Sequence, residues 1–231
     1  MTIRGILFDK DGTLLDFNAT WVPMYRALAN IVAHGDAGLM AALLSGSGQD
    51  DATGTVASGS LLAVASTSEI AACWDAIAPD HGFADLVGMM DEFFQRECVR
   101  AAVPVKALPE TMATLKARGL ILGLATSDSA QGARSSLGPF GILKDFDFIS
   151  GYDSGHGIKP GPGMAKGFIA ATDLAPEQTM VVGDSRHDMD MGRAAGVGLC
   201  VGVLTGTSSW EDLSEFADHV IDSIADLESL L

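Results

Sequence analysis

The chain has 231 residues, long enough for one large domain or two small ones, and 48% of them are hydrophobic, ample material for a buried core. Its formal net charge is −16, with 14 Lys+Arg against 30 Asp+Glu, which argues against nucleic acid or an anionic membrane as a partner because both need a basic footprint. A small anionic substrate is still compatible with this charge, provided its site is locally positive or holds a metal cation.

The first apolar run, Ile6-Leu7-Phe8, reads as a buried parallel strand ending at the turn signal Asp9-Lys10-Asp11-Gly12-Thr13. Arg4 follows closely on Met1 and the run is only a strand long, so no signal peptide is expected. Trp21 to His34 carries Trp21, Met24, Tyr25, Leu28, Ile31 and Val32 at helical spacing, with Gly35 as the stop. A second helix is expected over Leu39–Leu44. From Ser45 to Ser68 the composition of Gly, Ser, Ala and Thr predicts a surface loop plus a short helix around Leu61, Leu62 and Val64. Ser68 is the expected N-cap of a helix over Glu69–Ala78, which Pro79 ends. Ala84–Ala102 is a longer helix whose Met89–Phe94 stripe reads as core packing. No strand is expected between Phe17 and Val103.

The second half alternates. A helix opens at Pro109-Glu110 and closes at Lys116, Arg118 and Gly119. Strands are expected at Ile121–Ala125, Phe146–Ile149, Thr179–Val182, Val197–Val203 and His219–Ile221. Helices are expected from Ser129, over Met164–Thr172, over Arg186–Ala195 and from Ser223. Strands alternating with helices at this spacing imply an α/β fold with a parallel, doubly wound sheet. Residues 1–16 and 104–231 would form that core, with an all-helical insert over 17–103 between its first and second strands.

Cys73, Cys98 and Cys200 are widely spaced and form no CxxC, so neither a disulfide framework nor a zinc site is expected. Ala194–Leu204 is too short and too rich in glycine to span a membrane. Together these readings predict a cytoplasmic protein; its oligomeric state, monomer or homodimer, stays open.

Three polar clusters fall just after predicted strands: Asp9/Asp11, Thr126/Ser127 and Asp184/Asp188; Lys159 lies in a loop before a helix. In a parallel sheet all four share the rim at the carboxyl ends of the strands. Four carboxylates there repel one another unless a positive group sits among them. Hard oxygens without histidine or cysteine suit Mg²⁺, and Thr126, Ser127 and Lys159 supply donors and a point charge for a phosphoryl group. The backbone of the Lys10–Gly12 turn can add a nest of N–H groups. Asp128 would add negative charge near the rim or cap the next helix, and Asp16 reads as a structural or capping residue. His156 and His187 are expected at the surface, and the glycines of Ala194–Gly206 are expected to reflect close helix–strand packing.

The pattern D-x-D-G-T at Asp9–Thr13, strand-end Thr126, Lys159 in Ile158-Lys159-Pro160 and G-D-x-x-x-D at Gly183–Asp188 resembles the haloacid dehalogenase (HAD) superfamily, in its phosphoglycolate phosphatase-like branch. The helical insert stands where that family's C1 cap enters. The resemblance implies Asp9 as nucleophile and Asp11 as general acid and base. It also implies Mg²⁺ held by Asp9, the Asp11 backbone carbonyl and Asp184, with Asp188 ligating directly or through water, and phosphate held by Thr126, Ser127 and Lys159. A small phosphorylated metabolite would be the substrate, and the cap would close over it, hinged near Asp16–Phe17 and Val103–Val105. Asp11 favours phosphate over carbon–halogen chemistry, since dehalogenases of the superfamily lack that acid. Arg26, Arg96 and Arg100 are the insert's candidates for meeting a substrate anion. The alternatives are a phosphosugar mutase of the same superfamily and a catalytically idle binding or regulatory module.

Overall fold

A computed structural model of the chain describes residues 2–231. Its centre is a six-stranded sheet of β1 (Gly5–Phe8), β2 (Ile121–Ala125), β3 (Phe148–Ser150), β4 (Thr179–Gly183), β5 (Leu199–Val203) and β6 (His219–Ile221). The strand order is β3-β2-β1-β4-β5-β6, and every pairing is parallel. Parallel neighbours need crossover connections, so helices pack on the faces and the strands become apolar throughout. β1 shows this: all four residues are buried, and so are all five of β4. Leu7 and Val181 pack with Phe168 of α8 (Gly163–Thr172) and Met189 of α9 (Arg186–Ala195). By alternation Ile6 and Phe8 point to the other face.

β1 lies in the middle of the sheet, and the order reverses there: β2 and β3 run off one side, β4 to β6 off the other. That reversal opens a crevice at the strands' carboxyl ends, where open α/β sheets bind ligands.

The chain divides into two compact units, Met1–Phe17 with Val103–Leu231, and Asn18–Ala102. Within the first, the two connecting stretches are tied together: Asp16 N–H donates to the Val103 carbonyl (2.9 Å), and Val105 N–H to the Leu14 carbonyl (3.0 Å). The second unit is helical, built from most of α1 (Phe17–Val32) with α2 (Ala37–Gly46), α3 (Leu61–Val64), α4 (Thr67–Ile77) and α5 (Leu86–Ala101). Among the described residues it has no strand, only an isolated bridge between Gln49 and Val56. Trp74 is fully buried there and its indole N–H donates to Ser47 Oγ (2.7 Å), while the Tyr25 hydroxyl donates to the Leu62 carbonyl (2.8 Å). Met90 and Phe93 of the methionine–phenylalanine stripe are core residues.

Several local expectations are corrected. The cap of α4 is Ser66, not Ser68: Ser66 and Glu69 form a capping box, with Ser66 N–H donating to Glu69 at 2.8 Å. The third strand begins at Phe148; just before it, the Asp147 side chain accepts from Lys116 of α6 (Leu108–Ala117) and from the Leu122 N–H. The last element, Ile224–Leu230, is a 3₁₀ helix, and a short helix α10 (Trp210–Ser214) precedes β6. His156 is half-buried with its ring 5.5 Å from that of Phe148, whereas His187 is exposed. Among the described residues no helix is long and apolar enough to cross a membrane.

Candidate active site

Asp9 follows the end of β1 and Asp184 the end of β4, two strands paired in register through Phe8 and Val182 in the middle of the sheet. Asp188 stands in the first turn of α9, where the helix dipole favours a carboxylate and its Oδ2 accepts from the Ser185 N–H (3.2 Å) and hydroxyl (2.6 Å). Lys159 comes from the loop before α8 and reaches between two of these acids, its Nζ donating to Asp9 Oδ1 at 2.5 Å and Asp188 Oδ1 at 2.6 Å. Asp9, Asp184 and Asp188 offer oxygens that all lie within 4.8 Å of one another. All three are buried, as is Lys159.

One ammonium cannot balance three buried carboxylates, and the electrostatics record this. Burial, with Asp188 and Asp11 adding to it, pushes the Asp9 carboxyl up to about 7 against the opposing pull of Lys159. Burial and the charges of Asp9 and Asp188 raise Asp184 well above the usual carboxylate range, against the Thr207 N–H and Lys159. Burial alone would lower Lys159, but facing both Asp188 and Asp9 it is held above the usual lysine value. The pair therefore yields at the carboxyl end, since Asp9 has one cation against two further anions. A buried, all-oxygen, net-negative donor set fits a hard divalent cation such as Mg²⁺.

Because Asp9 binds a proton in the folded state from the ordinary carboxylate value of 3.8 up to about 7, and the unfolded chain does not, its contribution to stability is full below 3.8 and disappears as pH rises through 7. The metal-free protein is thus expected to melt at a lower temperature at pH 7.5 than at pH 5 in thermal denaturation with chelator present, and Asp9→Asn is expected to reduce the difference. A melting temperature that rises between those pH values would contradict this electrostatic account.

The other residues predicted for the site are placed as follows. Thr126 ends β2 and is buried; its hydroxyl accepts from the Asp128 N–H (3.1 Å). Ser127 is exposed beside it. Asp11 is not in the group of three carboxylates; its Oδ2 lies 3.0 Å from the Nζ of Lys10. Of the arginines in the helical unit, Arg96 pairs with Glu97, and Arg100 lines a pocket of about 270 Å³ with Pro23, Met24, Ala27, Phe93 and Glu97.

The Lys10 side chain, Thr205, Gly206 and Thr207 escaped the sequence reading. Lys10, taken only for its backbone, has a side chain 2% exposed, held between Asp11 and Asp128. Asp128 consequently does not cap α7 (Ala130–Leu137); Ser129 does, accepting from the Gly132 N–H at 2.9 Å. The loop after β5 closes over the aspartates: the Thr205 hydroxyl donates to the Gly12 carbonyl (2.6 Å), and the Thr207 N–H to Asp184 Oδ2 (3.2 Å). Gly206 lies against Asp184, so that a Cβ there would fall 1.7 Å from its carboxylate; this glycine serves the site rather than helix–strand packing. Gly12 has φ +84°, and a Cβ on it would meet both the Asp184 carboxylate and the Gly206 backbone. Nothing local in the sequence marks them: a lysine between two aspartates and a glycine between two threonines both read as ordinary turn residues.

Residues 3–196 match the model of a hydrolase family, the haloacid dehalogenase-like hydrolases. The chain is similar to the phosphoglycolate phosphatases of Shigella boydii serotype 4 and Escherichia coli K12, each 27% identical over 246 residues covering 97% of this chain and 91% of theirs. Among solved structures it resembles a phosphoglycolate phosphatase candidate of Haemophilus somnus (TM-score 0.77, 21% identity, covering 100% of this chain and 98% of that one). It also resembles a β-phosphoglucomutase candidate of Thermotoga maritima (TM-score 0.74, 19% identity, 99% and 98%). At those identities the structural likenesses speak to fold alone.

Proposed function

The chain belongs to the haloacid dehalogenase-like hydrolases, and from that premise we propose that it is a Mg²⁺-dependent phosphatase, hydrolysing a small phosphomonoester through an aspartyl-phosphate on Asp9. The observation that carries the reading is the buried cluster of Asp9, Asp184, Asp188 and Lys159 at the carboxyl ends of β1 and β4, with Asp11 two residues beyond the nucleophile.

Asp9 supplies the attacking oxygen. Its Oδ–phosphorus bond forms as the bond from phosphorus to the leaving oxygen breaks, and Asp11 delivers a proton to that oxygen. A water oxygen then attacks phosphorus, its proton passes to Asp11, and the bond to Asp9 breaks, restoring the carboxylate. Lys159, already bonded to Asp9, offsets charge on the transferring group, and the Thr126 hydroxyl with the exposed Ser127 would hold its oxygens. Asp9, Asp184, Asp188 and the Asp11 backbone carbonyl would hold Mg²⁺, which when bound neutralises carboxylate and phosphoryl charge at once. The likeness to phosphoglycolate phosphatases favours a small phosphorylated acid among possible substrates.

Phosphate release from a panel of phosphorylated metabolites tests this. Turnover is expected with Mg²⁺ and is expected to vanish with EDTA. Isomerised product without free phosphate would instead favour a mutase, and no turnover across the panel would favour an idle module.

A further inference from the structure

We propose that Lys10 and Asp128 form a positioning pair that fixes the carboxylate of Asp11; the inference rests on the reading of Asp11 as acid and base. Lys10 Nζ lies 2.9 Å from Asp128 Oδ2 and 3.0 Å from Asp11 Oδ2. Its side chain is 2% exposed, so the ammonium has given up its water for these two carboxylates. Burying a charge is unfavourable unless it is paired and hydrogen-bonded, and removal of either partner leaves an uncompensated group. One carboxylate would satisfy a purely structural need.

Asp128 is the fixed end. Its Oδ1 accepts from the Ser129 N–H (2.6 Å), its own N–H donates to the Thr126 hydroxyl (3.1 Å), and its carbonyl accepts from the Tyr152 N–H (3.0 Å). Gly132 packs so tightly that a Cβ there would come within 2.5 Å of its carboxylate. Asp11 is the end that must be placed. Its side chain is 22% exposed against 34% for Asp128, so exposure does not distinguish the two: Asp128 is fastened to the end of β2 by the bonds just named, and Asp11 meets the same ammonium at 3.0 Å. Lys10 thus carries the rigidity of the β2 end across to the residue two positions after the nucleophile. The Lys10 backbone is held as well, its carbonyl accepting from the N–H groups of Leu14 (2.9 Å) and Leu15 (3.0 Å).

Loss of this support should reveal itself in which step slows. p-Nitrophenolate departs without a proton, so formation of the phosphoenzyme from p-nitrophenyl phosphate does not need Asp11; its hydrolysis does. Ethyl phosphate needs Asp11 at both steps. In rapid mixing of the full-length chain with Mg²⁺, Lys10→Met is expected to give a p-nitrophenol burst followed by a steady rate about 10- to 100-fold below wild type, misplacement of a reacting group by about 1 Å being enough for such a loss. With ethyl phosphate, kcat should fall about 100-fold or more while KM changes less than about threefold. Asp128→Asn, at a partly exposed residue, should reproduce the pattern and carries the test if Lys10→Met does not fold; Lys10→Arg should restore part of the activity. Wild-type kinetics in both Lys10→Met and Asp128→Asn would overturn the proposal. So would burst and steady rates falling in equal proportion, which marks general distortion of the site. A wild-type protein that releases no phosphate from either ester would overturn the phosphatase reading itself, and this role with it.

Discussion

Asp9→Asn is expected to reduce Mg²⁺-dependent phosphate release by on the order of 10⁴-fold or more, the scale of removing a covalent nucleophile. The amide occupies the same space, and the residue is almost wholly buried, so no cavity is made. Three carboxylates become two around Lys159, which lessens the repulsion between Asp9, Asp184 and Asp188. The melting temperature of the metal-free variant is therefore expected to match or exceed that of wild type, as read by circular dichroism. Loss of activity with an intact fold separates chemistry from stability. Retained activity would place the nucleophile elsewhere.

Lys159→Met has the second-largest expected effect, and it falls on both properties. Its ammonium is the cation that Asp9 and Asp188 share, at 2.5 and 2.6 Å. Breaking a buried ion pair by removing one partner costs about 3–5 kcal/mol. In a chain of this size that corresponds to a fall in melting temperature of roughly 6–20 °C. The carboxylates have a way out that limits the loss: they protonate, Asp9 already being raised to about 7. The destabilisation should therefore be larger at pH 8 than at pH 5, and added Mg²⁺ should recover part of it. Turnover is expected to fall about 10²- to 10³-fold with saturating metal, the scale of losing one preorganised charge at the transferring group. A variant as stable as wild type at pH 8 without metal would refute the account of Lys159 as the counter-charge of the cluster.

Much of this arrangement can be read from the sequence because the relevant signals are local. Ile6-Leu7-Phe8 and Met180-Val181-Val182 are apolar runs that stop at polar residues, and stopping at the carboxyl end of a parallel strand is what carries Asp9 and Asp184 to one rim. What escaped depends on partners far apart in the chain. Lys10 and Asp128 are separated by 118 positions, and nothing in the periodicity around either predicts that a lysine between two aspartates turns inward. Gly206 looks like any glycine of a helix–strand connection until the Asp184 carboxylate is placed against it. The displaced cap of α4 is a different case. Ser66 and Ser68 both precede Glu69, and only the reciprocal spacing, serine at the cap and glutamate three residues on, selects Ser66.

The hydrogen bonds joining Asp16 to Val103 and Leu14 to Val105 have a consequence for how such a chain can diversify. They hold the two ends of the Asn18–Ala102 unit side by side, so to the sheet that unit is a loop whose closure is already made. The entropy of closing a flexible loop grows only logarithmically with its length, about 0.6 kcal/mol for each doubling. The insert can therefore lengthen, shorten or be exchanged at small thermodynamic cost to the sheet, while the aspartates it interrupts stay where β1 and β4 put them. The size of the insert and the geometry at the ends of β1 and β4 become properties that mutation can alter separately.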